Sequence, residues 1–296
     1  MLLKELLREA TQRLSQAGVD APRLSARLLA CRVLGCSRPD LELRADDELP
    51  PQARAAFAEL LDRRVLGEPV ARILGEREFY ARMFAVSGAT LVPRPETELL
   101  VELALARLPA GKLVLADLGA GTGCLGVSLC AERPEWSAVL ADISAPALRV
   151  AMGNAARHGV ADRVLCVQGD LCAPLFRAAS PDCIVSNPPY VSEAEYRALS
   201  PEVRDFDPCS ALLSGADGLD HIRALAVRAA EALRPGGLLL MEFGAGQGRA
   251  VEDIFGAGPL WTALRIHKDL AGFDRCLEAQ RSRKKILLAK IQETCV

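Results

Sequence analysis

From Met1 to about Leu66 the apolar residues recur at helical spacing, with interruptions at Gly18 to Pro22, Gly35 to Pro39 and Pro50-Pro51. That pattern predicts a small helical bundle. Val70 to Val86 sets Gly75 between apolar residues and carries Phe79, Tyr80 and Phe84, which predicts a short hairpin-like connector. At Pro95-Glu96-Thr97-Glu98 a proline and two acids suit a first helical turn, so a helix is expected from there to about Leu108.

Further on, short apolar runs alternate with helical stretches: Leu113 to Asp117, Ala138 to Asp142, Val164 to Gln168, Cys183 to Ser186 and Leu238 to Glu242. This alternation predicts an α/β architecture, a parallel sheet with crossover helices. Leu260 to His267 and Arg275 to Ala279 have no helix-length segment between them and are expected to pair as an antiparallel hairpin at one edge. The organisation expected is a helical domain over 1–69, a hairpin linker over 70–92, an α/β domain over 93–282 and a basic tail over 283–296. Around that last boundary, Arg281-Ser-Arg-Lys-Lys285 reads as a solvated end rather than a nucleic-acid contact.

Composition narrows the classes. Of 296 residues, 50% are hydrophobic and 25% charged, which excludes a disordered chain. Thirty-six basic against 38 acidic residues argue against a globally basic nucleic-acid binder and leave room only for a local patch. The ten cysteines form no C-x-x-C pair, and those in apolar segments, such as Cys124, Cys130, Cys166 and Cys183, read as reduced core residues. His158, His221 and His267 lack zinc-site spacing, so no metal is expected. The amphipathic start, with Glu5 and Glu9, is unlike a targeting peptide, and the longest uncharged run, Leu118 to Ala131, is too short for a membrane span. A reducing cytoplasm is the expected location, with no membrane partner.

Between the first predicted strand and the next helix lies Asp117-Leu-Gly119-Ala120-Gly121-Thr122-Gly123-Cys-Leu-Gly126. Glycines there let the backbone turn sharply and approach a nucleotide cofactor closely, although packed turns also use glycine. Asp142 ends the second strand nineteen positions after Gly123, where an acid can accept from both hydroxyls of a ribose. Asp170 and Leu171, after the third strand, are placed to contact an adenine. Each acid also fits a simple cap on a following helix.

The fourth strand runs into Asn187-Pro188-Pro189-Tyr190. Two prolines stiffen the turn and remove two donors, leaving the Asn187 side-chain oxygen and the Pro188 carbonyl as acceptors for an incoming NH2 group. Amide and adenine nitrogens are poor nucleophiles because their lone pairs are delocalised; held by two acceptors, such a nitrogen can be aimed at an electrophilic methyl carbon. Tyr190 can stack on the planar substrate and favour nearby positive charge.

These residues resemble the class I S-adenosylmethionine-dependent methyltransferases, with their Rossmann-like seven-stranded sheet. More closely they resemble the release-factor glutamine methyltransferases, the HemK or PrmC family. Pro93-Arg94-Pro95-Glu96-Thr97-Glu98, Gly215-x-Asp217-Gly218-Leu219, Glu242-x-Gly244 and Asp269 to Arg275 add to the likeness. The resemblance implies S-adenosyl-L-methionine held by Gly119 to Gly123, Asp142, Leu171 and Asn187, and a glutamine amide bound by Asn187 to Tyr190. It also implies class I peptide-chain release factors as partners, with the acceptor in their Gly-Gly-Gln motif, recruited by the helical amino-terminal domain. Ala120 stands where the family usually has a hydroxyl residue, Leu171 where it often has an aromatic, and Asp207-Pro208 where Glu-Pro is common.

Other readings use the same residues. A glutamine methyltransferase for a ribosomal protein differs only in recruitment, and an adenine amino-methyltransferase would present the same NH2 group, but no nucleic-acid recognition domain is evident. A nicotinamide oxidoreductase could use Gly121-x-Gly123-x-x-Gly126 but would leave Asn187 to Tyr190 idle. A non-catalytic scaffold would keep the glycine loop and be indifferent to Asn187→Ala.

Overall fold

The computed structural model describes residues 1–176 and 181–283; the predicted basic tail from Lys284 onward lies outside the described residues. The chain divides into two compact units, one holding Met1–Arg77 with Ser200–Phe206, the other Glu78–Leu199 and the chain from Asp207 onward.

In the first unit, helices α1 (Leu3–Gln16), α2 (Pro22–Leu34), α3 (Arg38–Leu43) and α4 (Pro51–Val65) are separated at the Gly and Pro breaks. Pro22 and Pro51 open their helices, where a missing N–H costs nothing, and Gly35 ends α2 in the left-handed region at φ 58°. Leu3, Leu14, Leu29, Leu41, Phe57 and Leu61 form the bundle core. Helix α5 (Val70–Leu74) corrects the hairpin expected from Val70: Gly75, at φ 75°, stops a short helix whose Ala71 and Ile73 are buried. The hairpin is confined to β1 (Glu76–Phe79), which spans the division at Arg77, and β2 (Arg82–Ala85), which belongs to the second unit. Arg64, 2% exposed, pairs with Glu202 at 2.7 Å, so residues far apart in sequence close this unit.

In the second unit, a 3-10 turn at Pro95–Thr97 leads into α6 (Glu98–Arg107). There follow β3 (Leu113–Leu118), α7 (Cys124–Glu132), β4 (Trp136–Asp142), α8 (Ala145–Arg157), β5 (Val164–Gln168) and β6 (Cys183–Ser186). The chain continues through α9 (Glu193–Ala198), α10 (Pro201–Arg204, within the first unit), α11 (Asp220–Ala232), β7 (Leu238–Glu242), α12 (Gly248–Gly256), β8 (Trp261–Lys268) and β9 (Asp274–Arg281). The sheet order is β5-β4-β3-β6-β7-β9-β8, parallel through β7, with β9 antiparallel to both neighbours. The two last strands pair as expected, and the later of them is the interior one.

One face of the sheet packs on α6, α7 and α8 through Leu100, Val127, Leu140 and Ala151; the other packs on α11 and α12 through Ile222, Leu225, Val251 and Phe255. The chain leaves β3 toward β4 and β5, then returns to place β6 on the other side of β3. That reversal opens a crevice beyond the carboxyl ends of β3 and β6, where open α/β sheets bind ligands.

Candidate active site

Register brings the carboxyl ends of four strands level: Leu118 lies opposite Ala141 and Ser186, and Ser186 opposite Met241. The Ser186 hydroxyl donates to the Leu118 carbonyl at 2.7 Å and ties β3 to β6. Above these ends is a cavity lined by Asp117, Gly119, Ala120, Gly121, Thr122, Asp142, Asp170, Leu171, Asn187 and Pro189, among others. Gly123, Pro188 and Tyr190 are not among its lining residues.

The glycine loop turns through three residues in the left-handed region, Gly119, Gly121 and Gly123 at φ 74°, 54° and 75°. Gly126 serves packing: a Cβ there would lie 2.3 Å from a Leu140 methyl, so α7 sits against β4 only because the side chain is absent. Asn154, wholly buried on α8, donates to the Thr122 carbonyl at 2.9 Å and holds the far side of the loop.

Asp142 accepts from Gly121 N–H through one oxygen and from Ser144 N–H through the other, each at 2.8 Å. The cap of α8 is Ser144, whose hydroxyl oxygen accepts from Ala147 N–H, and this overturns a capping role for Asp142. Each carboxylate oxygen keeps a further lone pair for a ribose hydroxyl. Asp170 accepts from Cys172 N–H at 2.8 Å, a local turn with no helix after it among the described residues, so a capping role fails there too.

Asp117 is the buried acid of the site. One oxygen accepts from Gly126 N–H at 3.0 Å; the other has no hydrogen-bond partner among the described residues. Burial, with the nearby Asp142 charge adding to it, pushes this carboxyl up to about 7. An orphaned acceptor facing a cavity, beside a turned loop and a diol-ready acid, fits the ammonium and ribose of S-adenosyl-L-methionine.

On the opposite wall, Asn187 donates through Nδ2 to Thr97 Oγ1 at 3.0 Å, and its Oδ1 accepts no hydrogen bond among the described residues. Thr97 in turn donates to Glu242 Oε2 at 2.7 Å, and the Tyr190 hydroxyl donates to Glu242 Oε1 at 3.2 Å. Burial and the Glu242 charge push the Tyr190 phenol well above its ordinary range, so it remains a donor. Two motif glycines clear space for this residue. A Cβ on Gly218 would lie 2.5 Å from the Tyr190 carbonyl, and one on Gly244 would lie 3.2 Å from the Tyr190 ring.

Sequence reasoning did not assign roles to Thr97, Glu242, Arg94 or His221. Arg94 pairs with Asp207 at 2.7 Å and lines the cavity, which gives Asp207 more weight than its place in the motif suggested. His221 also lines the cavity, its Nδ1 2.8 Å from the Ser214 hydroxyl.

A seven-stranded sheet of this order, with the cofactor cleft at its switch point, defines the S-adenosyl-L-methionine-dependent methyltransferases. Residues 95–201 match the methyltransferase small domain, and residues 5–75 match the PrmC N-terminal domain. The chain is 50% identical to a release factor glutamine methyltransferase of Nitratidesulfovibrio vulgaris over 281 residues, 95% of each chain. It is 45% identical to those of Rhodospirillum rubrum, over 95% of this chain and 86% of that one, and Cereibacter sphaeroides, over 95% and 99%. The chain belongs to the release factor glutamine methyltransferase family. No helix among the described residues is long and apolar enough to cross a membrane.

Proposed function

We propose that this chain methylates the side-chain amide nitrogen of the glutamine in the Gly-Gly-Gln motif of class I peptide-chain release factors, with residues 1–69 recruiting the substrate. The observation that carries the reading is Asn187, at the cavity wall with its amide nitrogen tied back and its Oδ1 free. When bound, S-adenosyl-L-methionine supplies an electrophilic sulfonium methyl. Gly119 to Gly123 would hold it through backbone, Asp142 would accept from its ribose, the orphaned oxygen of Asp117 would suit its ammonium, and Asp170 and Leu171 would border its adenine.

Asn187 Oδ1 and the Pro188 carbonyl accept the two hydrogens of the glutamine amide, and Pro189 keeps that turn stiff. Gripping both hydrogens turns the nitrogen lone pair toward the methyl carbon and fixes the approach in advance, the main contribution a positioning site can make. Tyr190, anchored by its hydroxyl, backs the same turn. A substrate drawn from translation implies action in the cytoplasm, with no nucleic acid bound directly.

The test combines the protein, isotopically labelled S-adenosyl-L-methionine, a full-length release factor, ribosomal proteins and duplex DNA, and locates the label by mass spectrometry. Label on the Gly-Gly-Gln glutamine is expected; label confined to a ribosomal protein or to adenine would overturn the substrate. Asn187→Ala is expected to keep cofactor binding and lose most turnover.

A further inference from the structure

Resting on the reading of Asn187 as the group that grips the substrate amide, we infer that Thr97 and Glu242 are positioning residues that fix which way the Asn187 carboxamide and the Tyr190 ring face. The oxygen and nitrogen ends of a carboxamide have nearly the same shape, so packing alone does not choose between them. Hydrogen-bond chemistry chooses. An ionised Glu242 has only acceptors, so the single Thr97 hydroxyl proton goes to its Oε2, 2.7 Å away. Thr97 Oγ1 is then left as an acceptor, and the Asn187 atom 3.0 Å from it has to be the NH2. Oδ1 is thereby turned to the side where substrate arrives.

The other oxygen of Glu242 takes the Tyr190 hydroxyl, so one carboxylate orients both ends of the Asn187 to Tyr190 turn. Thr97 is 3% and Glu242 1% exposed, which leaves the chain of bonds without competition from bulk water. Glu242 is not among the cavity-lining residues and acts through its neighbours. The three elements meet from far apart: Thr97 is 90 positions from Asn187 and 145 from Glu242.

The state of Glu242 matters because a protonated carboxyl can donate, and the direction of the chain is then undefined. Burial pushes Glu242 up to about 6; Glu96 adds to the rise, and Arg275 on β9, Thr97 and Tyr190 oppose it. The buried thiols of Cys124 and Cys276 also sense its charge. The kcat of the parent protein, taken at saturating S-adenosyl-L-methionine so that Asp117, pushed up to about 7, acts only on cofactor binding, should therefore fall on the acid side as pH drops through about 6.

The experiment measures kcat, KM for a full-length release factor and cofactor Kd for Thr97→Val, Thr97→Ser, Glu242→Gln and Asn187→Ala, each checked for fold by circular dichroism. Thr97→Val keeps shape and removes the hydroxyl; kcat should fall about 10- to 100-fold with both binding constants within about two-fold. Thr97→Ser should restore most of the rate. Glu242→Gln should lower kcat and abolish the acid-side fall. Parent-like kcat in Thr97→Val, no rescue by serine, or an acid-side fall that survives in Glu242→Gln would each overturn the inference. If Asn187→Ala is inactive while Thr97→Val is parent-like, only the relay fails; if Asn187→Ala turns over normally, the reading of Asn187 itself fails.

Discussion

The guanidinium of Arg94 stands 2.7 Å from the Asp207 carboxylate, whose side chain is 1% exposed, and so joins two segments 113 positions apart beside the cavity. Removing the acid leaves a cation without its partner, while the 37% exposure of Arg94 lets water recover part of the loss. Asp207→Ala is expected to cost about 1–3 kcal/mol in urea unfolding and to reduce turnover. Asp207→Glu adds a methylene to an enclosed site and should also destabilise, by about 1 kcal/mol or more. A parent-like unfolding midpoint for both variants would show that the pair contributes nothing.

Asp117 gives a stability prediction whose sign changes with pH. Its carboxyl is raised from 3.8 to about 7, so its contribution to stability is fully present below 3.8 and is lost as pH rises through about 7. Across that interval the loss is about 4 kcal/mol. Asp117→Asn removes it but buries an unpaired NH2, costing about 1–3 kcal/mol. Thermal melts should show the variant more stable than the parent at pH 8 and less stable at pH 4, with weaker cofactor binding by calorimetry. A difference independent of pH would contradict the assignment.

Gly218→Ala tests the backing of the acceptor turn. The new Cβ would stand 2.5 Å from the Tyr190 carbonyl at a residue whose φ is 77°, so the turn has to shift. We expect kcat to fall about 10- to 100-fold, with cofactor affinity largely retained because Gly218 does not line the cavity. Unchanged kcat would mean the turn tolerates displacement.

Asp142→Ala should act on both ligand and apoprotein. It removes the acceptor for Gly121 N–H and Ser144 N–H as well as the ribose contact. Calorimetry should show cofactor Kd raised about 10-fold or more, and melts without cofactor should show a loss of about 1–2 kcal/mol. Unaltered Kd would remove the acid from the cofactor site.

The sequence carried the local signals well. Prolines and glycines marked every break in the helical bundle, strand–glycine–helix order located the loop after β3, and an apolar strand running into Asn187-Pro188-Pro189-Tyr190 located the turn after β6. What escaped depends on burial between distant segments. Nothing near Thr97 shows that it will meet Glu242, and the orphaned oxygen of Asp117 exists only once β3 is covered. Val70–Leu74 escaped for a different reason: Gly75 punctuates a hairpin and ends a helix equally well. His221 carried no spacing signal because its partner, Ser214, is a serine and not another ligand-type residue.

The antiparallel strand β9 lies between β7 and β8, although it is the last strand of the described chain. It also brings Arg275, whose guanidinium bonds the Phe243 carbonyl just past Glu242. During folding, then, the sheet is complete only once β9 has entered between β7 and β8. A chain without that strand would expose the open flank of β7 and leave the Glu242 carboxylate without its neighbouring cation, so one strand completes the sheet and steadies the acid behind the acceptor turn.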